Sequence, residues 1–171
     1  MNTKLIAALA ASAAATALFV TGCSDDAGTA SPSTPGSAAP APAAGKSTAS
    51  VDGKDFTAKF DTTCAKQGGT LALALTDMAN ATYGSLSVSA SVEGEKVQAV
   101  AIGGSQGGAN GLPYAVGYGN GQPGGSATLA KDGNTYRITG EGISADMTNP
   151  LAGPSTVEFD ITFACSTIVG A

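Results

Sequence analysis

The 171-residue sequence has no histidine and no tryptophan, only four tyrosines and five phenylalanines, and charged side chains at just 12%. Without histidine there is no Ser-His-Asp triad, no Cys-His pair and no imidazole metal site, which removes most hydrolase and zinc chemistry. Basic residues are scarce, 8 Lys and Arg against 13 Asp and Glu. Once the leader described next is removed, 7 bases face all 13 acids, a net charge near -6. A surface of that sign argues against DNA, RNA and anionic lipid headgroups as partners.

What is present begins with an address. Met1 to Lys4 carries one cation, and Leu5 to Val20 is an uncharged Ala- and Leu-rich run of 16 residues. That is a secretory signal pattern, shorter than the roughly 20 residues a helix needs to span a bilayer. The run ends in Val20-Thr21-Gly22-Cys23, which resembles the bacterial lipobox, with two small residues ahead of a cysteine whose thiol takes a diacylglyceryl group before cleavage. Residues 1–22 thus read as a lipoprotein signal peptide and Cys23 as the lipidated first residue, with no other anchor needed once two or three acyl chains are attached.

Residues 24–50 are built almost wholly from Ser, Thr, Ala, Pro and Gly, apart from Asp25, Asp26 and Lys46, with prolines at 32, 35, 40 and 42 and no aliphatic side chain larger than alanine. Such a stretch cannot bury enough apolar surface to fold. It reads as a tether of roughly 30 Å as a coil and up to about 80 Å as polyproline II. Thr29, Ser31, Ser33, Thr34 and Ser37 lie among its prolines, the composition of an O-glycosylated stalk. Asp25 and Asp26 read as solvated charges.

From residue 51 to 171 the apolar period changes to two, the mark of half-buried strands. Leu86, Val88, Ala90 and Val92 alternate with serines, and Val157, Phe159, Ile161 and Phe163 alternate with Glu158, Asp160 and Thr162. Strand-like runs near 55–64, 70–76, 85–92, 96–103, 113–118, 126–131, 134–143 and 156–165 predict about eight strands, an all-β antiparallel sandwich or partly open barrel. Taking Gly94-Glu95 as a hairpin loop pairs Val92 with Val97, Ala90 with Ala99 and Val88 with Ala101; taking Asp132-Gly133 pairs Leu129 with Tyr136 and Ala127 with Ile138. The one helical candidate is a turn around Ser144 to Asn149, stopped by Pro150. With Cys23 lipidated, Cys64 and Cys165 form an even pair in an exported chain, hence a disulfide. Each is in step with the apolar face of its strand, and the bond would close a loop of about 100 residues, worth on the order of 4 to 5 kcal/mol.

Strings that could carry chemistry are weak. Gly119-Asn120-Gly121-Gln122-Pro123-Gly124 has GxGxxG spacing but contains Pro123 and precedes a strand-like segment, where a dinucleotide site needs a helix. Glu93-Gly94-Glu95 and Asp132-Gly133-Asn134 offer too few oxygens for calcium and read as turns. Tyr83, Tyr114 and Tyr118 flank a glycine-rich stretch and read as rim packing before a binding face. Asn80-Ala81-Thr82 matches a glycosylation sequon that a bacterial lipobox protein rarely uses. Glu158 and Asp160 face solvent with no second acid nearby in sequence, so a carboxylate-pair glycosidase is disfavoured. No catalytic residue, metal ligand or cofactor is assigned.

Particular strings resemble the mycobacterial nineteen-kilodalton lipoprotein antigen family typified by LpqH: Val51-Asp52-Gly53-Lys54-Asp55, the stretch KDGNTYRITG from Lys131 to Gly140, Asp146-Met147-Thr148-Asn149-Pro150, and Phe159 to Cys165. Both domain cysteines fall where that family has its pair. The middle, Ala65 to Gly125, matches loosely, and Ser166 to Ala171 runs on beyond the second cysteine. The resemblance implies a non-enzymatic, extracytoplasmic lipoprotein held on the cell membrane by its lipid. It also implies an antigen and Toll-like receptor agonist for host cells, with adhesion as a further role. The alternative that the residues leave open is a carrier of an apolar lipid or glycolipid between its sheets, which needs a cavity of several hundred cubic ångströms in an Ala-rich core.

Overall fold

Structure is described for residues 45–144 and 153–171 of a computed structural model. The leader, Cys23, the tether's Ser and Thr positions, and the Asp146 to Pro150 string lie outside those residues, as does the candidate turn beyond Ser144.

The described chain is all-β, and period-two patterning supplies each strand with one dry face. Ten strands follow in order: β1 (Thr48–Val51), β2 (Lys54–Asp55), β3 (Asp61–Gln67), β4 (Thr70–Asn80), β5 (Gly84–Glu93), β6 (Lys96–Gly107), β7 (Pro113–Gly119), β8 (Ser126–Asp132), β9 (Thr135–Ser144) and β10 (Ser155–Ala164). A single 3₁₀ turn, Ala109–Gly111, is the only helical element among the described residues. All ten strands belong to one antiparallel sheet, in the order β2-β1-β10-β9-β7-β6-β5-β4-β3, with β8 also paired to β9. The sheet curls into a half-barrel, so of the two architectures the sequence allowed, the partly open barrel is the one formed.

The curl follows from where the cysteines sit. β3 is the last strand in one direction and β10 the third from the other end, yet Cys64 in β3 is bonded to Cys165 just after β10, with Cα atoms 5.9 Å apart. A flat sheet would hold those strands many strand widths apart, at about 4.8 Å each. Bending the sheet brings its apolar faces together, and Leu75, Leu86, Val88, Ile138, Ile161 and Phe163 are fully buried inside the bend. The residues after Cys165 complete the closure: Val169 accepts from the backbone N–H of Lys66 at 2.7 Å and donates to the carbonyl of Cys64 at 3.0 Å, pairing the outer edge of β3.

The sequence reading of the strands needs four corrections. Residues 56–60 are not strand, although Phe56 is buried as expected. β1 and β2 were not anticipated. Three of the four residues of β1, Thr48 to Ser50, have tether-like composition, and it forms because Ala49 and Val51 pair with Ile161 and Phe159 of a strand more than a hundred residues away. In the β5–β6 hairpin Val92 does face Val97, but a bulge then pairs Ala90 with Val100 and Val88 with Ile102. The extra residue turns Val100 and Ile102 inward and leaves Ala99 and Ala101 exposed, a larger apolar burial than the regular register offers. In the β8–β9 hairpin the loop is Gly133-Asn134, so Leu129 faces Ile138 and Ala127 faces Gly140. The partner moves by two residues and every side chain keeps its face. Gly94 and Gly133 each take positive φ, 61° and 55°, in the first loop position, the Gly-X order of a type II′ hairpin.

β9 also explains how the sheet opens. Along one edge it pairs with β8 over Thr135–Glu141, and then with β7 at Ile143 and Ser144. β7 and β8 diverge there, joined by residues 120–125. The close approach requires Gly140, since a Cβ at that position would stand 1.9 Å from the carbonyl oxygen of Ser126.

Candidate functional site

The registers fix which groups share an end of the half-barrel. The turns β3–β4, β5–β6 and β8–β9, Cys165, and the point where the chain enters at Lys46 all lie at one end, because Gln67 pairs with Thr70, Glu93 with Lys96, Asp132 with Thr135, Ala164 with Thr135, and Thr48 with Thr162. Ser47 holds the entering chain in place there: its hydroxyl accepts from the backbone N–H of Ala164 at 3.0 Å and shares a hydrogen bond of 2.6 Å with Thr62 Oγ1.

Two adjoining grooves occupy this near end, where β8 splays from β6 and β7. The larger, about 700 Å³, runs between the β5–β6 turn and the free edge of β8, with Lys96, Val97, Tyr118, Leu129 and Lys131 among its walls. The smaller, about 340 Å³, lies beneath the C-terminal tail and is walled by Lys66, Leu71, Lys131, Tyr136 and Ile168. Gly94 and Lys131 belong to both. Lys131 Nζ stands 5.5 Å from the centre of the Tyr136 ring, within cation–π range.

A third groove, about 440 Å³, has the opposite character and lies over β9 and β10, with Glu141, Glu158 and Asp160 in its wall. The sheet places Glu141 directly opposite Glu158, a second acid that the linear sequence does not reveal. Both are exposed, and like charges facing across strands repel. Asp160 is engaged by Arg137, whose Nε and Nη2 donate to the two carboxylate oxygens at 2.9 and 2.5 Å. These three acids share one open face, and none of them is buried. Among the described residues, no three His, Cys, Asp or Glu side chains come together as metal ligands.

The far end holds the aromatic residues. Phe56, Tyr83 and Tyr114 meet edge to face, with ring centres 4.9, 5.3 and 6.0 Å apart, so Tyr83 and Tyr114 pack the rim. Burial, reinforced by the neighbouring Tyr83, pushes the Tyr114 hydroxyl up to about 12. Tyr118 is separated from them at the other end of β7, in the lysine-lined groove. Asn80 is buried and its amide is already used: the nitrogen donates to the Thr57 carbonyl and to Asp77, and the oxygen accepts from the N–H groups of Thr82 and Tyr83. That turn accounts for the sequon-like string. The donated bonds from Asn80 and from the Lys59 N–H hold the Asp77 carboxyl below its ordinary 3.8. Gly119 to Gly124 spans the end of β7 and the loop to β8, with no helix following.

Of the sequence-assigned site residues, Cys64 and Cys165 are joined, and both are buried. Cys23, Thr29, Ser31, Ser33, Thr34 and Ser37 lie outside the described residues. The lysine-lined grooves were not anticipated, since Lys66, Lys96 and Lys131 are far apart in sequence and only the shared end of three hairpins unites them.

The chain is similar to known lipoproteins. The sequence profile of the family described as Mycobacterium 19 kDa lipoprotein antigen matches residues 40–165. A "Putative lipoprotein" of Mycobacteroides abscessus is 36% identical over 168 residues, covering 96% of this chain and 99% of the relative. "Lipoprotein LpqH" of Mycobacterium avium is 34% identical over 116 residues, covering 68% of this chain and 66% of that protein. "Lipoprotein LpqH" of Mycobacterium tuberculosis is 30% identical over 116 residues, covering 68% and 67%. The profile match spans the half-barrel and ends at Cys165, the second half of the disulfide that closes it, and the chain belongs to the Mycobacterium 19 kDa lipoprotein antigen family.

Proposed function

We propose that this protein is a non-enzymatic surface lipoprotein, exported by residues 1–22, cut before Cys23 and held on the extracytoplasmic face of the cell membrane by acyl chains on Cys23. The observation that carries this reading is the lipobox Val20-Thr21-Gly22-Cys23 at the head of a chain whose domain matches a lipoprotein antigen family. Residues 24–46 act as the tether, O-glycosylated at Thr29, Ser31, Ser33, Thr34 and Ser37; it is shorter than the 24–50 that composition suggests because Ser47 and β1 are tied into the domain. The half-barrel is the displayed antigen and the part available for adhesion, while the acylated N-terminus is the part that host Toll-like receptors sense. Acyl chains supply the apolar surface for such recognition, at about 0.8 kcal/mol per buried methylene. The acidic domain offers no comparable feature.

Receptor activation by separate parts tests the assignment. A lipidated fragment ending within the tether should activate Toll-like receptors as strongly as the whole protein, and the unlipidated domain should be silent. Equal signalling by an unlipidated domain free of lipopeptide would place the agonist in the domain and overturn the reading.

A further inference from the structure

The net negative charge of the chain conceals a segregation between the two ends of the half-barrel. At the near end, where the chain enters, stand Lys46, Lys66, Lys96 and Lys131, against Glu93, Glu95 and Asp132 in the turns. Toward the far end Lys54 and Lys59 are outnumbered by Asp52, Asp55, Asp61, Asp77, Glu141 and Glu158. Arg137 and Asp160 neutralise one another between them.

We propose that the near end is a membrane-facing surface that rests on anionic phospholipid headgroups, with Lys66, Lys96 and Lys131 as its contacts; this rests on the lipid anchor at Cys23. Three observations point the same way. The near-end grooves are lined by those three lysines against Glu95 and the carboxylate of Ala171, whereas the groove over β9 and β10 is lined by three acids and no base, so groove-lining lysines are available to an anionic surface at one end only. The chain that runs back to Cys23 leaves the domain at this same end, at Lys46 and Ser47. The 24 residues from Cys23 to Lys46 can reach no more than about 80 Å even at full extension, which keeps this end near the bilayer at high effective concentration.

The far-end acids do not cancel the effect. A ten-residue strand such as β5 is about 33 Å long, several times the roughly 8 Å over which charge is screened at physiological ionic strength. An anionic surface therefore feels the lysine end and not the acids beyond it. With the Ala171 carboxylate counted, the four near-end lysines are balanced by four anions, too little to recruit an untethered domain against the acidic far end. The contrast between a balanced end and an acidic one orients a domain already tethered, which leaves the acidic end and its aromatic rim facing outward.

The test uses full-length acylated protein reconstituted into vesicles of phosphatidylcholine alone, or with about one-third phosphatidylglycerol. Flotation establishes attachment, and lysine acylation by a neutral water-soluble ester, mapped by peptide mass spectrometry, reports which end is covered. Lys66, Lys96 and Lys131 are expected to react roughly threefold more slowly on anionic than on neutral vesicles, with Lys54 and Lys59 unchanged and the difference abolished by high salt. Floating protein whose two ends react alike on both vesicles overturns the proposal and leaves the anchor intact. Protection that is equal on neutral vesicles and rises with protein density assigns the face to a second copy and also overturns it. Protein that does not float refutes the anchor and the proposal together.

Discussion

Replacing Cys64 and Cys165 with alanine removes the bond that holds β3 against the end of β10 and so fixes the curl of the sheet. The two residues are 101 apart in sequence, and in the chain-entropy model closing such a loop is worth about 4.7 kcal/mol at 25 °C. A domain of this size is stable by only about 5 to 15 kcal/mol, so the loss is a third or more of the total. With unfolding entropy near 2.1 cal/mol/K per residue, the melting temperature should fall by about 18 °C. The core cannot readily compensate, because many of its inward positions are Ala or Val and two of its few buried aromatic side chains, Phe159 and Phe163, lie on β10 itself. The measurement is thermal unfolding followed by circular dichroism on oxidised wild type, reduced wild type and the double alanine variant. The two forms lacking the bond should melt together, well below the oxidised protein. A fall of under about 5 °C with a transition as sharp as wild type would show that strand pairing alone fixes the curl and would refute the reasoning.

Gly140→Val should cost about 2 to 4 kcal/mol, because β8 must move off β9 to admit the side chain, and a chemical-denaturation midpoint equal to wild type would contradict the close approach at Ser126. Carboxyl NMR titration should place Asp77 below 3.8, and Asn80→Ala should return it toward that value. Since the folded value is lowered, the stabilisation from Asp77 is fully present above 3.8 and is lost as pH falls through the folded value. An unchanged Asp77 titration in Asn80→Ala would show that the Asn80 bond is not the cause.

What the sequence disclosed was mostly local. The serine alternation of β5 and the aromatic alternation of β10 assign strands and inward faces directly, and two cysteines in step with apolar faces give the disulfide. What it concealed depends on partners far along the chain. β1 is too short and too small-chained to be recognised without β10 beside it, and the bulge in β6 is decided by the burial of Val100 and Ile102 inside a curl no local pattern encodes. The β8–β9 loop could have been placed correctly by giving Gly133 the role Gly94 has in its own hairpin. The lysine-lined end escaped because composition reports only the total charge, and the separation of its positive and negative parts is a property of the register.

Lipid on Cys23 and a bond between Cys64 and Cys165 together make this chain a membrane-held, disulfide-closed lipoprotein in the reading proposed above. Intact-mass spectrometry of protein extracted from its own membranes tests both halves at once. The expected mass is that of residues 23–171 plus a diacylglyceryl group on the Cys23 thiol, with or without a third acyl group on its amine, and any glycans on the tether, less two hydrogens for the Cys64–Cys165 bond. A chain that starts at Met1, or one that starts at Cys23 with no lipid mass, would contradict the account.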